Sequence, residues 1–191
     1  GVVTLAFSIE SDDTTRASWP HDFGVTLTYS IGRALDMTLR VENRGDAPFT
    51  HEEALHTYFA VGDIRQVAIT GLEHVEYLDK VLAFARRRQN AEPLRFTGET
   101  DRVYLDTAAE CRIADPAWQR RVVVAKAGSQ TTVVWNPWID RARALTDFGD
   151  EEWREMVCVE TASSGEAAVH LEPGGAHVLS ANIRVESGNS V

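Results

Sequence analysis

Cysteine is nearly missing from this chain: Cys111 and Cys158 are the only two in 191 residues, too few to staple a small secreted scaffold and without metal-site spacing. A reduced, cytoplasmic setting is the expectation. No apolar run is long enough to cross a bilayer, and no basic segment leads into an apolar one, so nothing reads as a membrane span or export signal. Three glycine motifs are absent as well: G-x-S-x-G, the phosphate-cradling loop that ends in Gly-Lys-Ser/Thr, and G-x-G-x-x-G. Hydrolase elbows and nucleotide sites lose support accordingly. Positive charge is scarce, with 19 Lys and Arg against 29 Asp and Glu and a net charge of -10, which disfavours nucleic acid and anionic membranes as partners. The single basic run, Arg86-Arg87-Arg88, has no interleaved aromatics and reads as a solvated face, although an anionic small molecule can still find local arginines. His21, His51, His74, His170 and His177 lack H-x-x-x-H or comparable ligand spacing, so neither a metal nor any other cofactor is expected.

What is present is period-two alternation. Val3, Leu5, Phe7 and Ile9 alternate with smaller or polar residues, the signature of a half-buried strand. After a polar loop expected over Ser11 to Arg16, the alternation resumes at Val25, Leu27, Tyr29 and Ile31, turns at Gly32, and returns through Leu35, Met37, Leu39 and Val41 as a hairpin. Val67 and Ile69 mark a strand ending at Gly71. Tyr77 to Leu82 fits either a strand or a short helix. Val122 and Val124, then Gly128-Ser129, then Thr132 and Val134 predict another hairpin, and Asp150 is a candidate cap for a short acidic helical turn at Glu151 to Arg154. Pro173-Gly174-Gly175 turns the chain into a last strand at His177 to Val185. Many short strands with frequent turns predict an all-β, antiparallel sandwich or barrel, with residues 1–191 as one domain. The chain opens on Gly1, in a strand already under way, so a preceding segment is expected.

Two stretches stand out chemically. Leu55-His56-Thr57-Tyr58-Phe59-Ala60-Val61-Gly62-Asp63 sets a histidine among apolar and aromatic neighbours, and Val157-Cys158-Val159-Glu160-Thr161 ends an apolar run on a carboxylate. A neutral histidine exchanges protons near pH 7, and a desolvated carboxylate has its pKa raised toward the same range. Each residue alone also fits an ordinary role, His56 as a hydrogen-bonded core residue and Glu160 as a strand-end charge. Asp101, in Thr100-Asp101-Arg102-Val103-Tyr104, falls at a strand mouth. Trp19, Trp135 and Trp138 are candidates for an aromatic wall against a sugar ring, with core packing as the competing role.

These stretches, together with Trp19-Pro20-His21-Asp22-Phe23 and Val134-Trp135-Asn136-Pro137-Trp138, appear in an order and spacing that resembles the glucose-6-phosphate 1-epimerases of the aldose 1-epimerase superfamily. The resemblance implies a galactose-mutarotase-like β-supersandwich and cofactor-free interconversion of the α and β anomers of a hexose 6-phosphate. It puts His56 on the family's catalytic histidine, Glu160 on its catalytic glutamate and Asp101 on its sugar-binding aspartate, with Trp135 and Asn136 lining the same cleft. Glu160 would take the proton from the C1 hydroxyl while His56 protonates the ring oxygen. The chain corresponds to roughly the C-terminal two-thirds of such a protein. The expected upstream segment would supply further strands, a second active-site histidine and the arginines that bind phosphate, and with it the protein is expected to be a monomer. An aldose 1-epimerase for unphosphorylated sugar and a non-catalytic sugar-binding sandwich are the alternatives.

Overall fold

The period-two pattern becomes two antiparallel sheets in the computed structural model, which describes residues 1–187. In chain order the strands begin with Val3–Glu10 (β1), Phe23–Ile31 (β2), Leu35–Asn43 (β3), Phe49–His51 (β4), Glu53–Leu55 (β5) and Tyr58–Ala60 (β6). Ala68–Thr70 (β7), Glu76–Asp79 (β8), Ala85–Arg88 (β9), Leu94–Arg95 (β10), Thr100–Tyr104 (β11) and Cys111–Asp115 (β12) follow. Arg120–Ala127 (β13), Thr131–Asn136 (β14), Met156–Ser163 (β15), Val169–Leu171 (β16) and Ala176–Ser187 (β17) complete the set. The first sheet runs β1-β2-β3-β17-β13-β12-β7-β10 and the second β5-β15-β14-β11-β8-β9, with β6 also paired to β15. A small β16-β4 ribbon stands beside them.

The main core lies between the two sheets. Ile69, Ile113, Val122 and Val124 from the first sheet meet Tyr104, Val134, Val157 and Val159 from the second in one cluster. Burying each such side chain contributes about 1.5–3 kcal/mol. The β2–β3 hairpin has the expected register, with Val25 opposite Val41, Leu27 opposite Leu39 and Tyr29 opposite Met37. Gly32 sits in its turn, as expected. Among the described residues β1 pairs with β2 alone, and its apolar side chains Leu5, Phe7 and Ile9 are exposed.

Several local expectations need correction. Residues from Ser11 to Arg16 do not form a loop throughout: Asp13–Ser18 is a helix (α1), started by Asp12 and Thr15. The Asp12 carboxylate accepts from the Thr15 N–H, while the Thr15 hydroxyl accepts from the Asp12 N–H, a reciprocal cap that short polar sequences hide. Tyr77 to Leu82 is both candidates in succession, strand β8 and then a 3-10 turn at Lys80–Leu82. The acidic turn is a 3-10 helix at Glu152–Glu155 with Glu151, rather than Asp150, at its cap.

The predicted hairpin across Gly128-Ser129 is instead a crossing between sheets, because β13 pairs with β12 and β17 whereas β14 pairs with β11 and β15. Gly128 makes the corner possible. Its φ is +70°, and a Cβ there would lie 2.0 Å from the Val178 carbonyl oxygen. The far side of the corner is tied down by the Thr131 hydroxyl, which donates to the Ala162 carbonyl at 2.7 Å.

Candidate active site

Strand register on the outer face of the second sheet assembles the candidate residues. Across β11, β14 and β15, Asp101 lies opposite Trp135 and Trp135 opposite Cys158. One pleat further, Val103 lies opposite Val133 and Val133 opposite Glu160. Residues two apart on a strand share a face, so Asp101, Trp135 and Glu160 all look outward while Val134, Val157 and Val159 look into the core. The outward face floors a cavity of about 650 Å³, whose lining includes His56, Lys80, Asp101, Trp135, Arg141 and Glu160.

His56 reaches this floor through a break in strand pairing. β5 pairs to β15 up to Leu55 opposite Thr161, and β6 resumes with Tyr58 opposite Cys158. In between, the Thr57 N–H turns back to the Leu55 carbonyl at 2.9 Å. The interruption falls beside Glu160 and brings His56 Nε2 to 3.2 Å from Glu160 Oε1. The imidazole is half exposed, whereas the carboxyl is 6% exposed. His56 stacks on Tyr58, with centroids 5.0 Å apart, and meets Trp135 edge-on. Burial pushes the Glu160 carboxyl up to about 7; Lys80 pulls it down in part and Asp101 adds to the rise. A carboxyl with that pKa exchanges its proton readily at neutral pH, the property required of a general base or acid.

Asp101 has two unlike oxygens. Oδ2 pairs with Lys80 Nζ at 3.0 Å, and Oδ1 is buried with no hydrogen-bond partner among the described residues. Buried polar atoms are ordinarily satisfied, so Oδ1 is an unmet acceptor on a residue that lines the cavity. Trp135 adds an aromatic surface between Asp101 and His56 and is held edge-on by Phe148.

Other expected wall residues lie elsewhere. Asn136 is fully buried and lines no part of the cavity: its Nδ2 donates to the Trp153 and Met156 carbonyls at 2.8 and 2.9 Å, and its Oδ1 accepts from the Trp138 N–H. With all of these groups engaged by backbone, Asn136 shapes the turn into the helix Trp138–Ala144 (α2). Trp138 packs on Trp153 at 4.5 Å, and Trp19 packs with Phe23 and Phe49 in a separate apolar cluster. Of the three tryptophans, Trp135 alone lines the cavity; Phe84 lines it too, and Tyr58 stacks on His56.

Sequence reasoning missed Lys80 and Arg141. Leu78 and Lys80 continue the outward period of β8, so alternation extended one residue past the strand finds Lys80; Arg141 rides on α2, for which the pattern gave no sign. Donor atoms of His56, Cys158 and Glu160 lie within 4.8 Å of one another. Burial holds the Cys158 thiol above its ordinary pKa, which works against the thiolate form that metals bind. Glu53, a second buried carboxylate, sits between His51 and His177 on the opposite side of β5, outside this cavity.

A protein of Cenchrus ciliaris provisionally named glucose-6-phosphate 1-epimerase is 39% identical over 160 residues, covering 82% of this chain and 48% of its own length. One of the same provisional name from Escherichia coli K12 is 33% identical, covering 96% of this chain and 60% of its own. The chain thus spans about half to three-fifths of the length of these relatives. Among solved structures, a provisionally assigned mutarotase from Salmonella typhimurium superposes with a TM-score of 0.89 at 30% identity, over 97% of this chain and 61% of that one. Galactose 1-epimerase from Lactobacillus acidophilus shares the fold at 10% identity and a TM-score of 0.73, over 98% of this chain and 64% of that one. The fold is galactose-mutarotase-like, as the sequence resemblance implied. The family described as aldose 1-epimerase matches residues 2–184, and the chain belongs to that family.

Proposed function

We propose that this chain carries the acid/base centre of an isomerase that interconverts the α and β anomers of a hexose 6-phosphate, glucose 6-phosphate foremost. The observation that carries this reading is the approach of His56 Nε2 to Glu160 Oε1 at 3.2 Å beside an open cavity, with the Glu160 carboxyl raised to about 7. In the productive state the pair holds one proton, on His56. With the sugar ring over Trp135, the Glu160 carboxylate takes the C1 hydroxyl proton, the C1–O5 bond breaks as C1=O forms, and O5 takes the proton from His56. Rotation about C1–C2 presents the other face of the aldehyde. Ring closure returns both protons and yields the opposite anomer. Each group thus serves as acid in one direction and base in the other.

Asp101, which lines the cavity and keeps one carboxylate oxygen unpartnered, serves as acceptor for a ring hydroxyl, with Lys80 holding the carboxylate in place. Trp135 packs against the C–H face of the ring. The relatives' names support the substrate class. Two buried free cysteines and the net charge of -10 support a cytoplasmic setting without nucleic-acid partners; no helix among the described residues is long and apolar enough to cross a membrane.

The test is two-dimensional exchange NMR on glucose 6-phosphate and, separately, on glucose, with and without the chain. Stronger exchange cross-peaks for the phosphorylated sugar support the reading. Equal acceleration of both sugars makes the chain an aldose 1-epimerase without phosphate preference, and binding without acceleration makes it a sugar-binding sandwich.

A further inference from the structure

The charged groups around the cavity are paired almost completely. Glu160 meets His56, and Asp101 meets Lys80. Glu52 accepts from the Gly165 N–H at 2.8 Å, and Glu166 is bridged by Arg86. Arg141 is the exception: it lines the same cavity, is exposed, and has no ion-pair or hydrogen-bond partner among the described side chains. Its backbone is nevertheless fixed. α2 starts where the Asn136 side chain receives the Trp138 N–H, and Ala142, the next residue after Arg141, is fully buried in the core cluster.

We infer that Arg141 is a phosphate-reading residue of this cavity, binding the 6-phosphate of the sugar while C1 lies between His56 and Glu160. A dianion approaching a chain of net charge -10 needs a local cation to offset the general repulsion. Lys80 supplies little of that, being neutralised by Asp101. An unpaired guanidinium offers two parallel N–H donors that match phosphate oxygens, and it stays charged throughout the working pH range. Mounted on a packed helix beside Trp135, it is a fixed point against which the ring is oriented, so phosphate binding selects the substrate and also aligns it. Sequence resemblance put the phosphate arginines upstream; Arg141 adds one from this chain.

This inference rests on the hexose-6-phosphate reading, and binding separates the two. Isothermal titration of the wild-type chain, Arg141→Gln and Arg141→Lys with glucose 6-phosphate and with glucose, at fixed ionic strength, is the experiment. Arg141→Gln should weaken glucose 6-phosphate binding about tenfold to a hundredfold while leaving glucose binding and the melting temperature unchanged. Arg141→Lys should recover part of the loss, keeping the charge without the two-pronged contact. Inorganic phosphate should compete with glucose 6-phosphate on the wild type and far less on Arg141→Gln. Unchanged affinity for glucose 6-phosphate in Arg141→Gln overturns the inference, as does an equal loss for glucose or a wild type that binds no glucose 6-phosphate. Exchange NMR on the same samples tests the other reading: Arg141-dependent binding without anomer exchange defeats the isomerase and keeps the phosphate contact, while exchange with Arg141-independent binding does the reverse.

Discussion

His56 and Glu160 lie 104 positions apart in sequence, yet His56 Nε2 comes within 3.2 Å of Glu160 Oε1 because strand pairing lapses between β5 and β6 directly beside Glu160. The two residues differ in surroundings, one half exposed and the other nearly dry. That asymmetry divides the consequences of changing them.

Replacing His56 by Gln should reduce anomerisation by about a hundredfold or more and leave stability within about 0.5 kcal/mol, as expected for a half-exposed side chain. Thermal melts and exchange rates measured on one preparation check this. A large drop in melting temperature would show that His56 acts through the fold.

Glu160 should make activity and stability depend on pH in opposite directions. The base must be ionised while His56 keeps its proton, so the rate should fall as pH drops below about 7. For stability the sign reverses: the folded-state pKa is raised above its ordinary 4.5, so the folded protein binds the proton more tightly than the unfolded chain. That stabilisation is complete below pH ~4.5 and is lost as pH climbs through about 7, by up to roughly 3 kcal/mol. Denaturant titrations of wild type and Glu160→Gln between pH 4.5 and 8 isolate the contribution. Parallel curves for the two proteins would mean that the Glu160 pKa is not raised.

Asn136 is predicted to matter through structure. Asn136→Ala strands the Trp153 and Met156 carbonyls and the Trp138 N–H, and leaving buried polar groups unpaired costs roughly 2–4 kcal/mol in total. Denaturant unfolding measures that loss directly. A wild-type midpoint with impaired sugar binding would return Asn136 to the cleft.

Gly128→Ala tests the crossing between sheets. The substitution forces a left-handed backbone on alanine and drives its Cβ toward the Val178 carbonyl, for a predicted destabilisation of at least about 2 kcal/mol. An unchanged unfolding midpoint would contradict the corner geometry.

The sequence made some of this legible and hid the rest for identifiable reasons. Alternation at Val25 to Val41 gave the β2–β3 hairpin because one register buries one face and a one-residue slip would invert it. Alternation across Val122 to Val134 misled, since period two describes a strand and says nothing about which sheet it joins; Gly128 permits a corner as well as a hairpin. Glu160 was visible as a carboxylate at the end of an apolar run, and His56 through its aromatic surroundings. Their meeting was expected from the family resemblance and not from spacing, because it depends on β15 pairing with both β5 and β6. Asn136 was misassigned for a related reason: it neighbours Trp135 in sequence but points to the opposite face of β14, as pleating requires.

The central claim is that Glu160 moves the proton at C1. Two-dimensional exchange NMR of α- and β-glucose 6-phosphate with wild-type chain and Glu160→Gln tests it most directly, provided both proteins are folded by circular dichroism. The account predicts exchange cross-peaks enhanced by the wild type and reduced to the protein-free rate, or within a few per cent of it, by Glu160→Gln. Equal acceleration by the two proteins would contradict it.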